Sequence, residues 1–240
     1  MGPGVGEVAV QAEGGVLEVA VGRLGEVLAG VEVDVGDYCG FCYSEEDVAA
    51  LAGPVGAIPA KLVSRAVFDG PDHWDDFANL YRKLTPRLMA LLVHGELSLD
   101  QGLFAQHLVT AGCWSTWAEP ERTTMLAVCN LWWDATLATY PRRPEAREVL
   151  SFLASTPVPF VRWLEVWNAQ PAGAADLHAA DLCLWWADEL LGGRLMVGWS
   201  GTIDLTADVK PWILEDAQPR LARVPAEPRL TVLLELLRSR

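Results

Sequence analysis

Basic residues are scarce in this sequence. Lysine and arginine together number 18 against 32 aspartates and glutamates, which leaves a formal net charge of −14 at pH 7. A surface this acidic repels both the phosphate backbone of nucleic acids and the anionic face of a membrane. We therefore expect neither among its partners, whereas basic proteins and cationic ligands suit the charge.

Long apolar runs and a disulfide pattern are missing as well. The apolar stretch near the start is interrupted by Glu7, Glu13 and Glu18, and charged side chains are costly inside a bilayer. No basic segment precedes an apolar run, so the sequence predicts no secretory signal. The five cysteines are an odd number without a regular framework, which is typical of a reducing compartment. We predict a cytoplasmic protein.

No catalytic motif is complete. The segment GWSGT at residues 198–202 lacks the order G-x-S-x-G of a nucleophile elbow. The segment GPGVG at residues 2–6 has neither the lysine nor the hydroxyl of a phosphate-binding loop. The sequence therefore predicts no catalytic residue and no organic cofactor.

Apolar residues dominate what is present. They make up 51% of the 240 residues, and charged residues make up 21%, a composition typical of a globular chain with a sizeable core. The 11 tryptophans are unusually many. We expect most of them in the core, because each buries a large apolar area once its indole N–H has a partner.

From residue 44 onward the pattern predicts helices that are joined by short loops. Ser44 and Asp47 have the spacing of a capping box, Pro59 begins a second helix, and Thr85 with Pro86 predicts the start of another. Short connections favour antiparallel neighbours. We predict a mainly α fold of antiparallel helix pairs, a helical bundle or a short HEAT-like stack, with residues 44–240 as a single all-helical domain.

A weak internal repeat is consistent with stacked helix pairs. CNLWWDATL at residues 129–137 resembles CLWWADELL at residues 183–191, and alignment of the two Trp–Trp pairs gives an offset of about 53 residues. A unit of that length holds two helices and their loops. We expect these two segments to be central helices of the fold.

Residues 1–43 differ from the rest and are predicted to form a separate N-terminal segment. Residues 7–21 alternate between apolar and polar types on either side of Gly14 and Gly15, which favours a β-hairpin. Residues 31–35, VEVDV, read as a third strand. The many glycines also allow an extended, partly disordered arm.

The N-terminal segment ends in a C-x-x-C motif formed by Cys39 and Cys42. Two thiols at this spacing make half of a zinc site, and His73, just before a helix, is the best candidate for a third ligand. We therefore predict a structural zinc ion on Cys39, Cys42 and His73. Two alternatives stay open, a redox pair and free thiols that pack as small apolar side chains.

A fourth zinc ligand is not singled out by the sequence. The candidates are acidic or imidazole side chains: Glu45, Asp72, His94, His107 and His178.

A second acidic motif offers a different metal chemistry. Asp72, Asp75, Asp76 and Asn79 lie within two turns at the head of a helix, a pattern that suits Mg²⁺ and diphosphate chemistry. The helix dipole favours acidic residues at this position in any case. The alternative function is therefore a metal-dependent enzyme that acts on a diphosphate or another small molecule in an aromatic-lined helical pocket.

One compact basic cluster is present in this acidic chain. Arg142, Arg143 and Arg147 either bind an acidic peptide or a phosphate, or form a solvated helix start. The leading hypothesis is a non-catalytic, cytoplasmic helical protein that binds a protein or peptide partner. In this hypothesis the zinc ion connects the N-terminal segment to the helix after His73.

Overall fold

The computed structural model describes residues 5–34, 36, 38–97 and 100–239, with side chains from residue 15 onward. Within these residues it is mainly helical, which confirms the predicted fold class. The α-helices are α1 (Val5–Val27), α2 (Glu45–Ala52), α3 (Ala60–Asp69), α4 (Phe77–Val93), α5 (Gln101–Thr110), α6 (Glu119–Ala138), α7 (Ala146–Leu153), α8 (Phe160–Ala169), α9 (Ala174–Trp185), α10 (Ala187–Leu191), α11 (Thr206–Leu214), α12 (Gln218–Leu221) and α13 (Pro228–Arg238). None of the helices in the described ranges has both the length and the apolar character needed to cross a bilayer.

The described strands form one short antiparallel ribbon. β1 (Met196–Val197) pairs with β2 (Ile203–Asp204), with Met196 opposite Asp204 and Val197 opposite Ile203. Short 3₁₀ turns at Val55–Ala57 and Pro71–His73 precede α3 and α4.

The chain divides into two compact units, residues 1–132 and residues 133–240. The division falls within α6, far from the predicted boundary between residues 43 and 44. The fold of residues 44–240 as one domain stays a prediction.

The predicted N-terminal hairpin is wrong, because residues 5–27 form α1. The alternation of apolar and polar residues overlaps here with a stripe of apolar residues that are spaced four, three and four positions apart. This spacing places the stripe on one face of a helix. That stripe is buried and α1 packs against α4; its members are Leu17, Val21, Leu24 and Leu28. The predicted third strand is also wrong over residues 31–34, which have no regular structure, and Val35 lies outside the described residues.

The predicted start of α2 is confirmed. The Ser44 side chain accepts a hydrogen bond from the Asp47 backbone N–H, and the Asp47 side chain accepts one from the Ser44 N–H. A break at Thr85–Pro86, by contrast, is not present, since α4 continues through Pro86. The Thr85 hydroxyl donates to the Tyr81 carbonyl at 2.7 Å. Buried leucines on both sides of Pro86 hold the helix together despite the missing N–H.

The tryptophan-rich core is confirmed. Eight of the 11 tryptophans are buried: Trp74, Trp117, Trp132, Trp133, Trp163, Trp167, Trp186 and Trp212. In the second unit the Trp167 ring lies 5.3 Å from that of Trp133 and 4.9 Å from that of Trp212, measured between centroids. Their indole N–H groups are hydrogen bonded, as buried indoles require.

Replacing Trp133 with phenylalanine is expected to lower the free energy of unfolding by about 1–3 kcal/mol. The Trp133 N–H donates to the Trp163 carbonyl at 3.0 Å, and the side chain is fully buried. The smaller ring removes this hydrogen bond and opens a cavity. Urea unfolding followed by circular dichroism measures the loss. The half-exposed Trp199, replaced with phenylalanine, is the control. An unchanged midpoint for Trp133→Phe would contradict this role.

The two segments of the internal repeat differ in structure. Trp132 and Trp133 are fully buried within the continuous helix α6. In the second segment the helix is interrupted at Trp186, which separates α9 from α10, and Trp185 is 58% exposed. The sequence similarity therefore does not produce two equivalent helices.

Candidate metal centre

The three predicted zinc ligands converge in the first unit. The Sγ atoms of Cys39 and Cys42 and a ring nitrogen of His73 lie within 4.8 Å of one another. In the part of the chain that the structure describes, no other three potential metal ligands meet so closely. The chain thus brings together two residues of one turn and a third residue about thirty positions later.

Backbone hydrogen bonds hold these residues in place. The Cys39 N–H donates to the His73 carbonyl at 3.0 Å, and Tyr38 forms an antiparallel bridge with Trp74. The N–H groups of Cys42 and Tyr43 both donate to the Cys39 carbonyl at 3.0 Å, which closes a tight turn. The ligand positions are therefore fixed by the polypeptide itself.

A packed aromatic pair supports the turn. The buried ring of Tyr43 lies 4.4 Å from that of Trp74, and the Tyr43 hydroxyl donates to Asp69 at 2.7 Å. The guanidinium carbon of Arg65 lies 4.5 Å above the Tyr43 ring, and Arg65 is ion-paired with Asp47 at 2.6 Å. These contacts join the turn to α2 and α3.

The two thiols of the turn have different acidities. Hydrogen bonds from Cys42, and then from His73, lower the pKa of Cys39 to about 7. The hydrogen bond with Cys39 and desolvation raise the pKa of Cys42. One thiolate therefore forms near neutral pH without any metal, and a bound cation favours the second one as well.

The other cysteines are packed in the cores. Cys113, Cys129 and Cys183 are buried free thiols. Burial raises the pKa of Cys129 and of Cys183 to about 12, and it also raises that of Cys113. Such thiols are inert. Cys39 and Cys42 are both partly exposed, so the packing interpretation fits the three isolated cysteines better than the pair.

The donor set fits a zinc ion. Thiolate sulfur and imidazole nitrogen are its preferred ligands, and tetrahedral zinc holds such atoms about 3.7 Å apart, so a contraction of about 1 Å suffices. In addition, the Nδ1 atom of His73 is buried and no described group forms a hydrogen bond with it. A buried nitrogen of this kind is expected to have a partner.

None of the side chains proposed as a fourth ligand belongs to this cluster of described residues. Those candidates were Glu45, Asp72, His94, His107 and His178. The buried ring of His107 packs edge-on against Phe77 and Tyr81, at centroid distances of 5.6 and 5.5 Å. His178 belongs to the second unit, where its Nε2 is hydrogen bonded to the Thr139 carbonyl at 2.9 Å. The cluster therefore offers three protein ligands.

The acidic motif does not form a cation site. Asp76 is the N-cap residue of α4, and its carboxylate accepts hydrogen bonds from the Asp34 N–H at 3.1 Å and from the Asn79 amide at 3.0 Å. Asp72 and Asp75 are exposed. The three carboxylates do not converge, since the only such group among the described residues is the one at Cys39. The structure therefore gives the predicted Mg²⁺ chemistry no site at these residues.

Sequence reasoning missed the exposure of Phe41. This side chain lies between the two cysteines and is 99% exposed. The only sequence signal is an aromatic residue inside the C-x-x-C turn. Because the turn is held on both sides by Cys39 and Cys42, Phe41 projects from a fixed backbone.

Two thiols and one imidazole converge on a rigid turn that carries an exposed aromatic side chain. A comparison of the chain with known protein families, with curated proteins and with solved structures finds no match.

Proposed function

We propose that this is a non-catalytic cytoplasmic protein that binds a protein partner through a zinc-stabilised turn. Cys39, Cys42 and His73 hold the ion, and Phe41 enters an apolar pocket of the partner. The observation that carries the proposal is the 99% exposure of Phe41 between two metal ligands. A reducing cytoplasm agrees with five cysteines that are all free.

The zinc ion supplies structure in this proposal. When bound, it cross-links residues 39–42 to His73 and neutralises two thiolates. The backbone bonds around Cys39 already orient the ligands, so the ion stabilises an arrangement that the chain favours. The turn then stays rigid, and a partner loses little conformational entropy when it binds there.

Exposed aromatics support a protein partner. Phe and other aromatic residues are enriched as anchors at protein interfaces, where one buried ring carries much of the affinity. Phe68 on α3 is also 68% exposed, and it follows Arg65, which contacts the turn, by three positions. Glu45 and Glu46 beside the turn are exposed as well. The expected partner surface is an apolar pocket with lysine or arginine at its rim.

Replacing Phe41 with serine is expected to weaken partner binding about 10- to 100-fold, because the anchor is lost. The side chain is exposed, so the zinc content and the melting temperature should not change. A photoreactive benzoylphenylalanine at position 41 identifies the partner by cross-linking. Calorimetry with that purified partner then compares the wild type with Phe41→Ser.

Val161 provides the matched control, since it is a 46% exposed apolar residue of the second unit. Val161→Ser should bind the partner with wild-type affinity. If Phe41→Ser binds as tightly as the wild type, the turn is not the docking element.

The number of protein ligands in the cluster favours a second candidate function, that of a metal-dependent enzyme. Three protein ligands and one free coordination position are typical of catalytic zinc sites, whereas structural sites are closed by four. This candidate predicts hydrolysis of small esters or phosphates that is lost in His73→Ala and retained in Phe41→Ser. The non-catalytic proposal predicts no such turnover.

A further inference from the structure

A cavity of about 760 Å³ lies within the second unit, and none of its lining residues is Cys39, Cys42 or His73. It is bordered by the loop before α7, the first turn of α7, one side of α9 and the start of α13. Its volume is that of a small-molecule pocket. Four arginines line it: Arg142, Arg143, Arg147 and Arg229. The first three are the basic cluster noted in the sequence, and the fold adds the fourth.

The acidic groups in this cavity are already engaged. Glu145 pairs with Arg143, and also with Arg147 at 2.8 Å. Asp181 accepts a hydrogen bond from the Tyr140 hydroxyl at 2.8 Å. Four guanidinium groups against two carboxylates leave a net positive lining in a chain whose net charge is −14. A concave site of this kind concentrates anions.

Among the arginines that line the cavity, Arg229 is the best candidate to bind an anion. It is exposed and forms no ion pair with a described residue. It also occupies the first turn of α13, where the helix dipole disfavours a cation. Its backbone N–H is satisfied by Glu227 at 3.2 Å, so only the guanidinium is left for a ligand.

An exposed tryptophan ring lies beside one of these arginines. The guanidinium carbon of Arg147 lies 3.4 Å from the centroid of the Trp185 ring, which orients that arginine. Trp185 is nevertheless 58% exposed, in contrast to the eight buried tryptophans. It is the last residue of α9, next to the break before α10.

An apolar groove continues from the arginine cavity. This second cavity of about 330 Å³ shares Leu184 and Arg229 with the first. Its other lining residues are almost all aliphatic: Ala187, Leu191, Pro228, Val232, Leu233 and Leu236. Val232 and Leu236 are 54% and 41% exposed, so the groove is accessible. A positively charged pocket therefore adjoins an accessible aliphatic groove that is lined by residues of α10 and α13.

We propose that this composite site binds a soluble single-chain amphiphilic anion, which is a carboxylate or phosphate monoester with an alkyl tail. The head group lies among the four arginines and pairs with Arg229. The tail lies along the aliphatic groove. Planar guanidinium groups suit both head groups, because they donate two parallel hydrogen bonds to carboxylate or phosphate oxygens.

Calorimetry with the full chain tests the site. The probes are inorganic phosphate, hexyl, octyl and decyl phosphate, and decanoate. Affinity is expected to rise about three- to fourfold for each added CH₂ until the groove is filled, and inorganic phosphate alone should bind weakly. Arg229→Gln should lower the affinity for octyl phosphate about 10- to 30-fold. Leu236→Ser should lower the affinity for decyl phosphate more than the affinity for hexyl phosphate.

Arg162→Gln is the matched control, because Arg162 is an exposed arginine of the same unit whose partner, Glu165, lies outside the cavity. It should bind every probe as the wild type does. The proposal is overturned if no alkyl anion binds, if chain length has no effect, or if Arg229→Gln binds like Arg162→Gln. Binding only to an acidic peptide, or only to vesicles of phosphatidylcholine and phosphatidic acid, would also overturn it.

Discussion

Replacing Cys39 with serine is expected to lower the zinc content from about one equivalent per chain to near zero, because two protein ligands do not retain a structural ion. The proposed ion would close a loop of about 31 residues between Cys42 and His73, and a cross-link of that length would stabilise the folded state by about 3–4 kcal/mol. Elemental analysis and urea unfolding measure the two losses. Cys42→Ser and His73→Ala should behave in the same way.

Phe41→Ser is the control within the same turn, because it leaves all three ligands in place. Its zinc content and unfolding midpoint should match those of the wild type. Wild-type protein treated with a chelator should unfold at the urea concentration of Cys39→Ser. If Cys39→Ser is as stable as the wild type and contains as much zinc, the proposed cross-link does not exist.

The second large effect concerns a buried charge network in the second unit. Arg220 is only 4% exposed and pairs with Asp176, which is equally buried, at 2.9 Å. The same guanidinium donates to the carbonyls of Trp167, Asn168 and Gln170 at 2.6–2.7 Å. One side chain thus closes the end of α8 and links α9 to α12.

Arg220→Ala is expected to destabilise the protein by about 3–5 kcal/mol, since it removes the buried ion-pair partner of Asp176 and one donor from each of three carbonyl groups. Arg223 also binds Asp176, at 2.7 Å, but its side chain is 45% exposed. Arg223→Gln should therefore lower the free energy of unfolding by less than Arg220→Ala does. Urea unfolding of the two variants compares the losses, and equal losses would contradict the central position of Arg220.

Acid provides an independent check on this network. Hydrogen bonds from Arg223, together with those from the Gly173 N–H and Arg220, lower the pKa of Asp176 from 3.8 to about 2. The folded state therefore binds this proton less tightly than the unfolded state. The stabilisation, about 2 kcal/mol, is complete above a pH of about 4 and is lost as the pH falls through about 2. Arg220→Ala should reduce the part of the stabilisation that is lost in acid.

The cluster of Cys39, Cys42 and His73 is the part of the protein that the sequence predicts best. A C-x-x-C turn has a specific chemical meaning, and His73 is the histidine nearest to it in the chain. The capping box at Ser44 was predicted equally well, because both of its hydrogen bonds are local. Local chemistry of this kind does not depend on the rest of the fold.

Errors arose where tertiary packing selects between two local options. Residues 7–21 carry both a strand-like alternation and part of a helical stripe, and contact with α4 selects the helix. Pro86 is a helix-start signal in isolation, yet the buried leucines around it keep α4 continuous. The sequence could not predict the arginine cavity for a related reason. Arg229 lies beside the cluster at Arg142 only because α13 packs on α9.

X-ray absorption at the zinc edge of the purified wild-type chain tests the central claim most directly. The account predicts about one zinc per chain with two sulfur ligands at about 2.3 Å and nitrogen or oxygen ligands at about 2.0 Å. It also predicts one sulfur ligand fewer, or no zinc, in Cys42→Ser. Zinc bound only by nitrogen and oxygen, or a stable chain without zinc, would contradict it.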